Sequence, residues 1–103
     1  MQLFKHSLYE LSKGVRGLVL LTDEIDKTDK MVERLEREQI PYEYQKINNN
    51  KANLYFGKKE CVDIIKKFNT KELNKLSKEQ DFILGTMLGY NLCDQCKRYL
   101  SKK

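Results

Sequence analysis

Three cysteines and one histidine are the side chains of this chain that best suit a zinc site, and a cysteine thiolate is also a strong nucleophile. Cys93 and Cys96 form a CxxC pair, and Cys61 and His6 are the further candidates for a four-ligand zinc site. Redox-active CxxC pairs begin a helix that follows a strand, whereas this pair lies late in a predicted helical stretch. We therefore expect ordinary packing roles for the cysteines, with neither a metal nor a cofactor, and keep zinc binding and redox chemistry as alternatives.

Other signatures of catalysis or nucleotide binding are weak in this sequence. Gly14, Gly17 and Gly57 are isolated, so they do not form a glycine-rich phosphate loop. The single histidine, His6, has no nucleophile beside it and would have to share acid–base catalysis with a perturbed carboxylate. The six tyrosines among many lysines could stack on nucleic-acid bases, but no RNA-binding signature surrounds them. The residues favour a protein that is not an enzyme. Nucleic-acid binding is kept as an alternative function, ranked third after the two given below.

Positive charge is concentrated in the second half of the chain. The net charge is +5; the first 56 residues hold nine basic and nine acidic side chains, and the remainder hold eleven and six. A basic surface attracts an acidic protein or a nucleic acid. The simpler alternative is a solvated, lysine-rich helical surface without a partner.

Length and hydropathy predict a single domain, residues 1–103. Charged residues make up 34% of the chain and the mean hydropathy is −0.70. The longest apolar run, residues 18–21, is far too short to cross a bilayer. The N-terminus shows no signal-peptide pattern, and an odd number of cysteines fits reduced thiols. We therefore expect a cytoplasmic protein that does not enter the membrane.

The spacing of apolar residues predicts an α/β (α+β) fold with a helix-rich C-terminal half. The arrangement that fits the element order is a small three-stranded mixed sheet, part parallel and part antiparallel, covered by helices. The predicted strands are residues 17–22, 42–47 and 52–56. The predicted helices are residues 2–12, from 28 or 29 to 39, 58–68 and 76–100, the third with a buried stripe of Cys61, Ile64, Ile65 and Phe68.

The last predicted helix carries the clearest local signals. Ser77 and Gln80 fit a capping box, in which each side chain bonds to the backbone of the other. Gly85 and Gly89 lie four residues apart on one helix face, which predicts close packing against another backbone. The alternative is that the helix ends near Gly89 and that Asn91 caps a second helix.

Several short segments, densest near the C-terminus, resemble one small bacterial family over nearly the whole chain. They are residues 3–6, 8–10, 13–14, 16, 18–20, 56–57, 61, 64–65, 81–85, 88–90, 95–96 and 98–100. The family is a domain-of-unknown-function family, number twenty twenty-three. Cys93 departs from its pattern whereas Cys96 fits it, and this departure further disfavours zinc binding and redox chemistry.

The resemblance implies a short α/β protein that forms a homodimer, has no established activity and is often encoded beside a flavodoxin. It suggests an accessory protein whose basic second half binds an acidic protein such as flavodoxin. The alternative is a small-ligand or catalytic site built from the polar residues of the matching segments, if the two ends of the chain meet. The same residues could instead form a polar network that stabilises the fold. They are His6, Tyr9, Arg16, Tyr90, Gln95, Arg98 and Tyr99.

Overall fold

A computed structural model describes residues 2–102, and in this range it contains three strands and five α-helices, which confirms the predicted α+β class. Among these residues, every helix is too short or too polar to cross a bilayer. A 3₁₀ turn, Leu73–Lys75, precedes α4. The elements in chain order are α1 Gln2–Ser12, β1 Leu18–Glu24, α2 Ile25–Arg37, β2 Tyr42–Lys46, β3 Lys51–Gly57, α3 Lys59–Lys66, α4 Lys78–Met87 and α5 Leu92–Ser101.

The last strand in the chain, β3, lies at the centre of the sheet. β1 pairs with β3 antiparallel, with Leu18 opposite Gly57. β2 pairs antiparallel with the other edge of β3, with Tyr42 opposite Phe56. The prediction of a mixed sheet is therefore wrong. β1 and β2 run in the same direction, but they do not pair because the β2–β3 hairpin places β3 between them.

Both faces of the sheet are covered, because alternate strand residues point to opposite sides. Val19 and its partner Phe56 face α1 and α2, whereas Leu20 and its partner Tyr55 face α3 and α4. The cluster on the α1–α2 face contains Phe4, Val19, Met31, Leu35, Leu54 and Phe56. The cluster on the α3–α4 face contains Leu18, Tyr55, Val62, Ile65, Leu84 and Leu88.

α2 begins earlier than the sequence predicts. β1 continues through Glu24, two residues beyond the predicted strand, because it stays paired with β3. The Ile25 N–H donates to the carbonyl of Asn50 at 2.9 Å, which joins the start of α2 to the β2–β3 turn. Thr28, one of the two predicted starts of this helix, is instead buried in the first turn, where its hydroxyl donates to the Ile25 carbonyl at 2.9 Å.

α3 is shorter than predicted, and the residues of this segment that pack on the core are Cys61, Ile65 and Phe68 of the predicted stripe, with Val62 in place of Ile64. Val62 and Ile65, three residues apart, are each 1% exposed and pack on the sheet. Ile64, which the spacing predicts to be buried, is 39% exposed. Cys61 is half-buried at the edge of the same face. Adjacent residues lie about 100° apart around a helix, so with Val62 and Ile65 on the sheet Ile64 falls outside the buried face.

The segment predicted as the last helix forms two helices, which agrees with the alternative that a first helix ends near Gly89 and a second is capped by Asn91. Gly89 adopts a left-handed φ of +83°, and the Tyr90 N–H donates to the Gly85 carbonyl at 3.1 Å, which closes the end of α4. The Asn91 side chain then accepts from the Asp94 N–H at 3.0 Å and caps α5. The predicted capping box at the start of α4 forms. The two helices therefore make a hairpin rather than one long rod.

Candidate functional site

The polar residues proposed for a site do not form one cluster. Tyr90, Gln95 and Arg98 line a cavity of about 310 Å³ beside the α4–α5 hairpin. Tyr99 lies on a different surface of the hairpin, where it lines a separate apolar groove. His6, Tyr9 and Arg16 lie on α1 or just after it. The arrangement therefore offers two distinct surfaces on the hairpin and a third group near the N-terminus.

The cavity combines an apolar wall with a charged rim. Arg98 binds Asp81 through two nitrogens, with Nε to Oδ2 at 2.8 Å and Nη2 to Oδ1 at 3.3 Å. The Lys102 Nζ lies 3.2 Å from the same Asp81 Oδ2. The hydrogen bond from Arg98 is the largest cause that lowers the pKa of Asp81. The apolar wall consists of Leu20, Leu73, Leu76, Leu84 and Leu88.

The Gln95 side chain crosses α4 at Gly85. A Cβ at Gly85 would overlap the Gln95 amide oxygen and lie 2.6 Å from its Cδ. The absence of a side chain at Gly85 is therefore what allows α5 to lie against α4 at this point. The close neighbour of Gly85 is a side chain of the following helix rather than another backbone.

The N-terminal residues meet the C-terminal segment through Arg16. A Cβ at Gly89 would lie 3.3 Å from the Arg16 Cβ. The Arg16 guanidinium donates to Glu10 Oε1 at 2.7 Å, and both side chains are largely buried. His6 is 68% exposed with its Nε2 3.9 Å from the same Glu10 oxygen, and Tyr9 lies under the Lys13 ammonium on α1. His6 and Tyr9 thus contact neighbours of their own segment.

The second surface of the hairpin is an open apolar groove of about 480 Å³, which we call the hairpin groove. Phe82 and Tyr99 form its floor, with ring centroids 5.7 Å apart in an edge-to-face arrangement. The Tyr99 hydroxyl donates to Glu79 Oε2 at 3.0 Å, and this hydrogen bond raises the pKa of Tyr99. Leu100 is 79% exposed at its rim. The groove is lined by Glu79, Phe82, Ile83, Cys96, Tyr99 and Leu100.

Sequence reasoning did not identify the hairpin groove. Apolar residues at helical spacing normally indicate a buried core, so Phe82, Ile83 and Leu100 were not distinguished from core positions. The sequence feature that could have revealed the groove is that α4 carries apolar residues on two sides. Leu84 and Leu88 fill the side that faces the core, and the other apolar residues lie on another side. The second apolar side of α4 is therefore left open by the described part of the chain.

The cysteines are placed differently from the sequence prediction. Cys93 and Cys96 occupy the second and fifth positions of α5, so the CxxC pair begins a helix rather than ending one. Both are exposed, whereas Cys61 is half-buried and burial raises the pKa of its thiol. Within residues 2–102, no three His, Cys, Asp or Glu side chains come close enough to hold a metal ion. The four-ligand zinc set, which includes His6, is therefore not assembled.

Part of the excess positive charge lies along and beside α3. Lys59 forms a 2.7 Å ion pair with Asp63, one turn later on the helix. The hydrogen bond from Lys59 is the main cause that lowers the pKa of Asp63. Four lysines on and beside α3 are exposed, and we call the surface that they form the α3 lysine surface. They are Lys58, Lys59, Lys66 and Lys67.

Comparison with known proteins supports the resemblance seen in the sequence. A family model described as Protein of unknown function (DUF2023) matches residues 2–102, which is nearly the whole chain. None of the curated proteins compared with the chain matches it. The match includes both surfaces of the hairpin and the N-terminal group around Arg16. The chain therefore belongs to the DUF2023 family of proteins of unknown function.

Proposed function

We propose that the protein is a cytoplasmic, non-enzymatic protein-binding module that forms a homodimer through the hairpin groove. The observation that carries this proposal is that α5, a helix of ten residues, has no buried residue. Helices this short are marginal in water unless an apolar face is packed. Contacts with α4 are the main tertiary contacts of α5, and its outer apolar side chains face solvent. A second protein surface over the groove would supply the missing packing.

A second copy of the chain is the occupant that we propose for the groove, because the surface offers features that can meet their own copy. In a two-fold dimer the same patch meets itself, so it must offer both a recess and a projection. Phe82 and Tyr99 supply the recess and the exposed Leu100 supplies the projection. The rim carries both signs of charge, with the Lys78 ammonium 5.2 Å from the Tyr99 ring centroid and Glu79 beside it. A patch of one sign would repel its own copy.

The dimer is tested by measuring the oligomeric state with sedimentation equilibrium. Ile83→Asp and Leu100→Asp each place a charge in the groove, and we expect the dissociation constant to rise about tenfold or more, since an unpaired charge is costly to bury. Leu92→Asp is the matched control, because Leu92 is exposed on the same helix but outside the groove. Wild-type protein that stays monomeric at millimolar concentration, or equal weakening by all three variants, would contradict the proposal.

The α3 lysine surface is the proposed docking site for an acidic protein, and a flavodoxin is the candidate that the family resemblance suggests. The uneven charge of the chain supports this choice, since all of the net positive charge falls in residues 57–103. Complementary charge mainly speeds association, and its effect weakens with salt. The α3 surface does not include the hairpin groove, so a dimer could bind two partners.

The docking proposal is tested by titrating the protein with a flavodoxin, with and without its flavin, at two salt concentrations. We expect micromolar binding that weakens with salt and is lost in the double variant Lys66→Glu and Lys67→Glu. The double variant Lys27→Glu and Lys30→Glu, which changes two exposed lysines on α2 and alters the net charge by the same amount, is the matched control and should leave binding nearly unchanged. Binding to generic DNA of equal or greater strength would favour a nucleic-acid partner and count against a protein one.

A small ligand in the cavity beside Arg98 is the second candidate function. The observation that favours it is the 310 Å³ volume with Tyr90, Gln95 and Arg98 converging on an apolar wall. Small-molecule sites combine these features. A thermal-shift screen of small carboxylates and phosphates should find a stabilising ligand whose effect is lost in Gln95→Ala. No stabilisation by any compound of the screen would remove this candidate.

A further inference from the structure

Cys93 and Cys96 are the two exposed thiols of the described chain, and the structure places them together in the first turns of α5. Residues three apart in a helix have Cα atoms about 5 Å apart, from the rise and radius of the helix. Disulfides span Cα separations of about 4.4–6.8 Å. The Cα separation on α5 therefore falls within the range of a disulfide. The Cβ atoms of such neighbours are about 5–6 Å apart on a regular helix and must approach to about 3.5–4.5 Å, so a Cys93–Cys96 disulfide requires a local adjustment of the first turns of α5.

The position of the pair at the start of the helix favours attack by Cys93. The first amide N–H groups of a helix have no partner within the helix, and they favour negative charge such as that of a thiolate. Cys93 lies at the second position of α5. Cys96 lies one turn further, where it borders the hairpin groove beside Tyr99. The two cysteines thus have different surroundings, as an attacking and a resolving thiol need.

We propose that Cys93 and Cys96 form a redox-active dithiol that exchanges with low-molecular-weight disulfides. The Cys93 thiolate attacks one sulfur of the small disulfide, which forms a mixed disulfide and releases one small thiol. The Cys96 thiolate then attacks the Cys93 sulfur, which closes the protein disulfide and releases the second small thiol. The two protein thiols are oxidised, the small disulfide is reduced to two thiols, and the protons of the cysteines end on those thiols.

Cys61 provides an internal comparison for this chemistry. Cys61 lies on α3 and packs against the chain just before β1. Its Sγ lies 3.1 Å from the position that a Cβ would have at Gly17. Burial is the largest cause that raises the pKa of the Cys61 thiol. Less thiolate and less access both slow exchange. The proposal therefore requires that oxidation select the α5 pair and spare Cys61.

The test exposes reduced protein to oxidised glutathione, blocks the remaining thiols with an alkylating reagent, and maps the products by mass spectrometry. We expect wild-type protein to lose the mass of two hydrogens, to gain a single alkyl group at Cys61, and to yield a Cys93–Cys96 cross-linked peptide that dithiothreitol reverses. Cys96→Ser should accumulate the glutathione adduct at Cys93, because the resolving thiol is missing. Cys93 in this variant should react about tenfold faster than Cys61.

Two results would overturn the proposal. One is a stable glutathione adduct on Cys93 of wild-type protein, which would show that Cys96 cannot resolve it. The other is oxidation of Cys61 as fast as oxidation of the pair. The inference does not rest on the proposed dimer. The experiment is run at low protein concentration so that the hairpin groove stays open, and repetition at high concentration would show separately whether self-association shields Cys96.

Discussion

Asp81 is the residue at which the charges of the α4–α5 hairpin meet. Its carboxylate binds Arg98 through two hydrogen bonds and lies 3.2 Å from the Lys102 ammonium. Its side chain is 19% exposed, whereas the pairs on α2 and α3 are more open to solvent. Exposed ion pairs contribute little to stability, and partly buried ones contribute more. Asp81 therefore links α4 to α5 more effectively than an ordinary surface pair would.

Replacing Asp81 with asparagine should make stability less dependent on pH. The folded-state pKa of Asp81 is lowered, so its contribution is present above the ordinary pKa of an aspartate and is lost as pH falls through the lowered value. We expect Asp81→Asn to reduce the free energy of unfolding by about 1 kcal/mol at pH 7, and the difference to vanish near pH 2. Urea unfolding at both pH values measures this.

The control for this prediction is Asp63→Asn. The pKa of Asp63 is also lowered, by Lys59 on the same helix, but the pair is exposed and joins no second element. We expect a smaller change in stability at neutral pH for this variant. An equal loss for Asp81→Asn at pH 7 and at pH 2 would show that the asparagine disturbs packing rather than removing a charge interaction.

At the scale of elements, the contact between Gly85 and Gln95 determines how α5 lies on α4. Helix propensity favours alanine over glycine by about 1 kcal/mol. At Gly85 this gain is opposed, because a Cβ would overlap the Gln95 amide. Gln95 would have to leave the surface of α4, and α5 would lose one of its contacts with the rest of the protein.

A double-mutant cycle separates the two effects at Gly85. We expect Gly85→Ala to leave the stability of the wild-type protein nearly unchanged, because displacing the flexible end of Gln95 offsets the gain in helix propensity. In a Gln95→Ala background the same substitution should stabilise by up to about 1 kcal/mol, since the overlap is gone. Thermal unfolding of the four proteins gives the coupling. An equal effect in both backgrounds would refute the packing argument.

At the scale of the whole molecule, β3 joins the two hydrophobic clusters. Its side chains alternate between the α1–α2 face and the α3–α4 face, so both cores depend on its pairing with β1. The Cα radius of gyration is 13.8 Å, against about 13 Å for a compact chain of this length. α5 packs mainly on α4 and contributes no residue to either cluster.

The pairing of β1 with β3 should fail when a side chain is added at Gly57. A Cβ at Gly57 would overlap the Gly17 carbonyl oxygen and lie 3.1 Å from the Leu18 Cα, and these are backbone atoms that cannot turn away. We expect Gly57→Ala to lower the free energy of unfolding by about 3 kcal/mol. Lys51→Ala, at the exposed other end of β3, should change it by about 0.5 kcal/mol or less.

Chemical denaturation followed by circular dichroism and by tyrosine fluorescence measures the effect of Gly57→Ala. Tyr55 lies in the α3–α4 cluster and is 2% exposed, and burial raises its pKa to about 12. Tyrosine fluorescence therefore reports partly on that cluster. Coincident transitions from the two probes would show that both clusters unfold together. A loss as small as that of Lys51→Ala would show that the strands separate easily at Gly57.

The sequence by itself determined the elements and most of their ends. α1 has the predicted range, and the strands and α3 lie within about two residues of it, because apolar spacing and turn residues act locally. The capping box at Ser77 forms as predicted for the same reason. The segments that resemble the family also lie within the region that the family model matches. Of the seven polar residues that the sequence groups into a candidate site, Tyr90, Gln95 and Arg98 line one cavity.

Only the tertiary structure decided how these elements meet. Strand order depends on long-range pairing, so the position of β3 between β1 and β2 has no local signal. The break at Gly89 depends on whether the chain turns back to pack on α4. Because of this break, Cys93 lies at the start of α5 and not late in one long helix. Tyr99 was separated from Arg98 because successive residues of a helix point in different directions. Periodicity identifies an apolar face, but what covers that face is decided by packing.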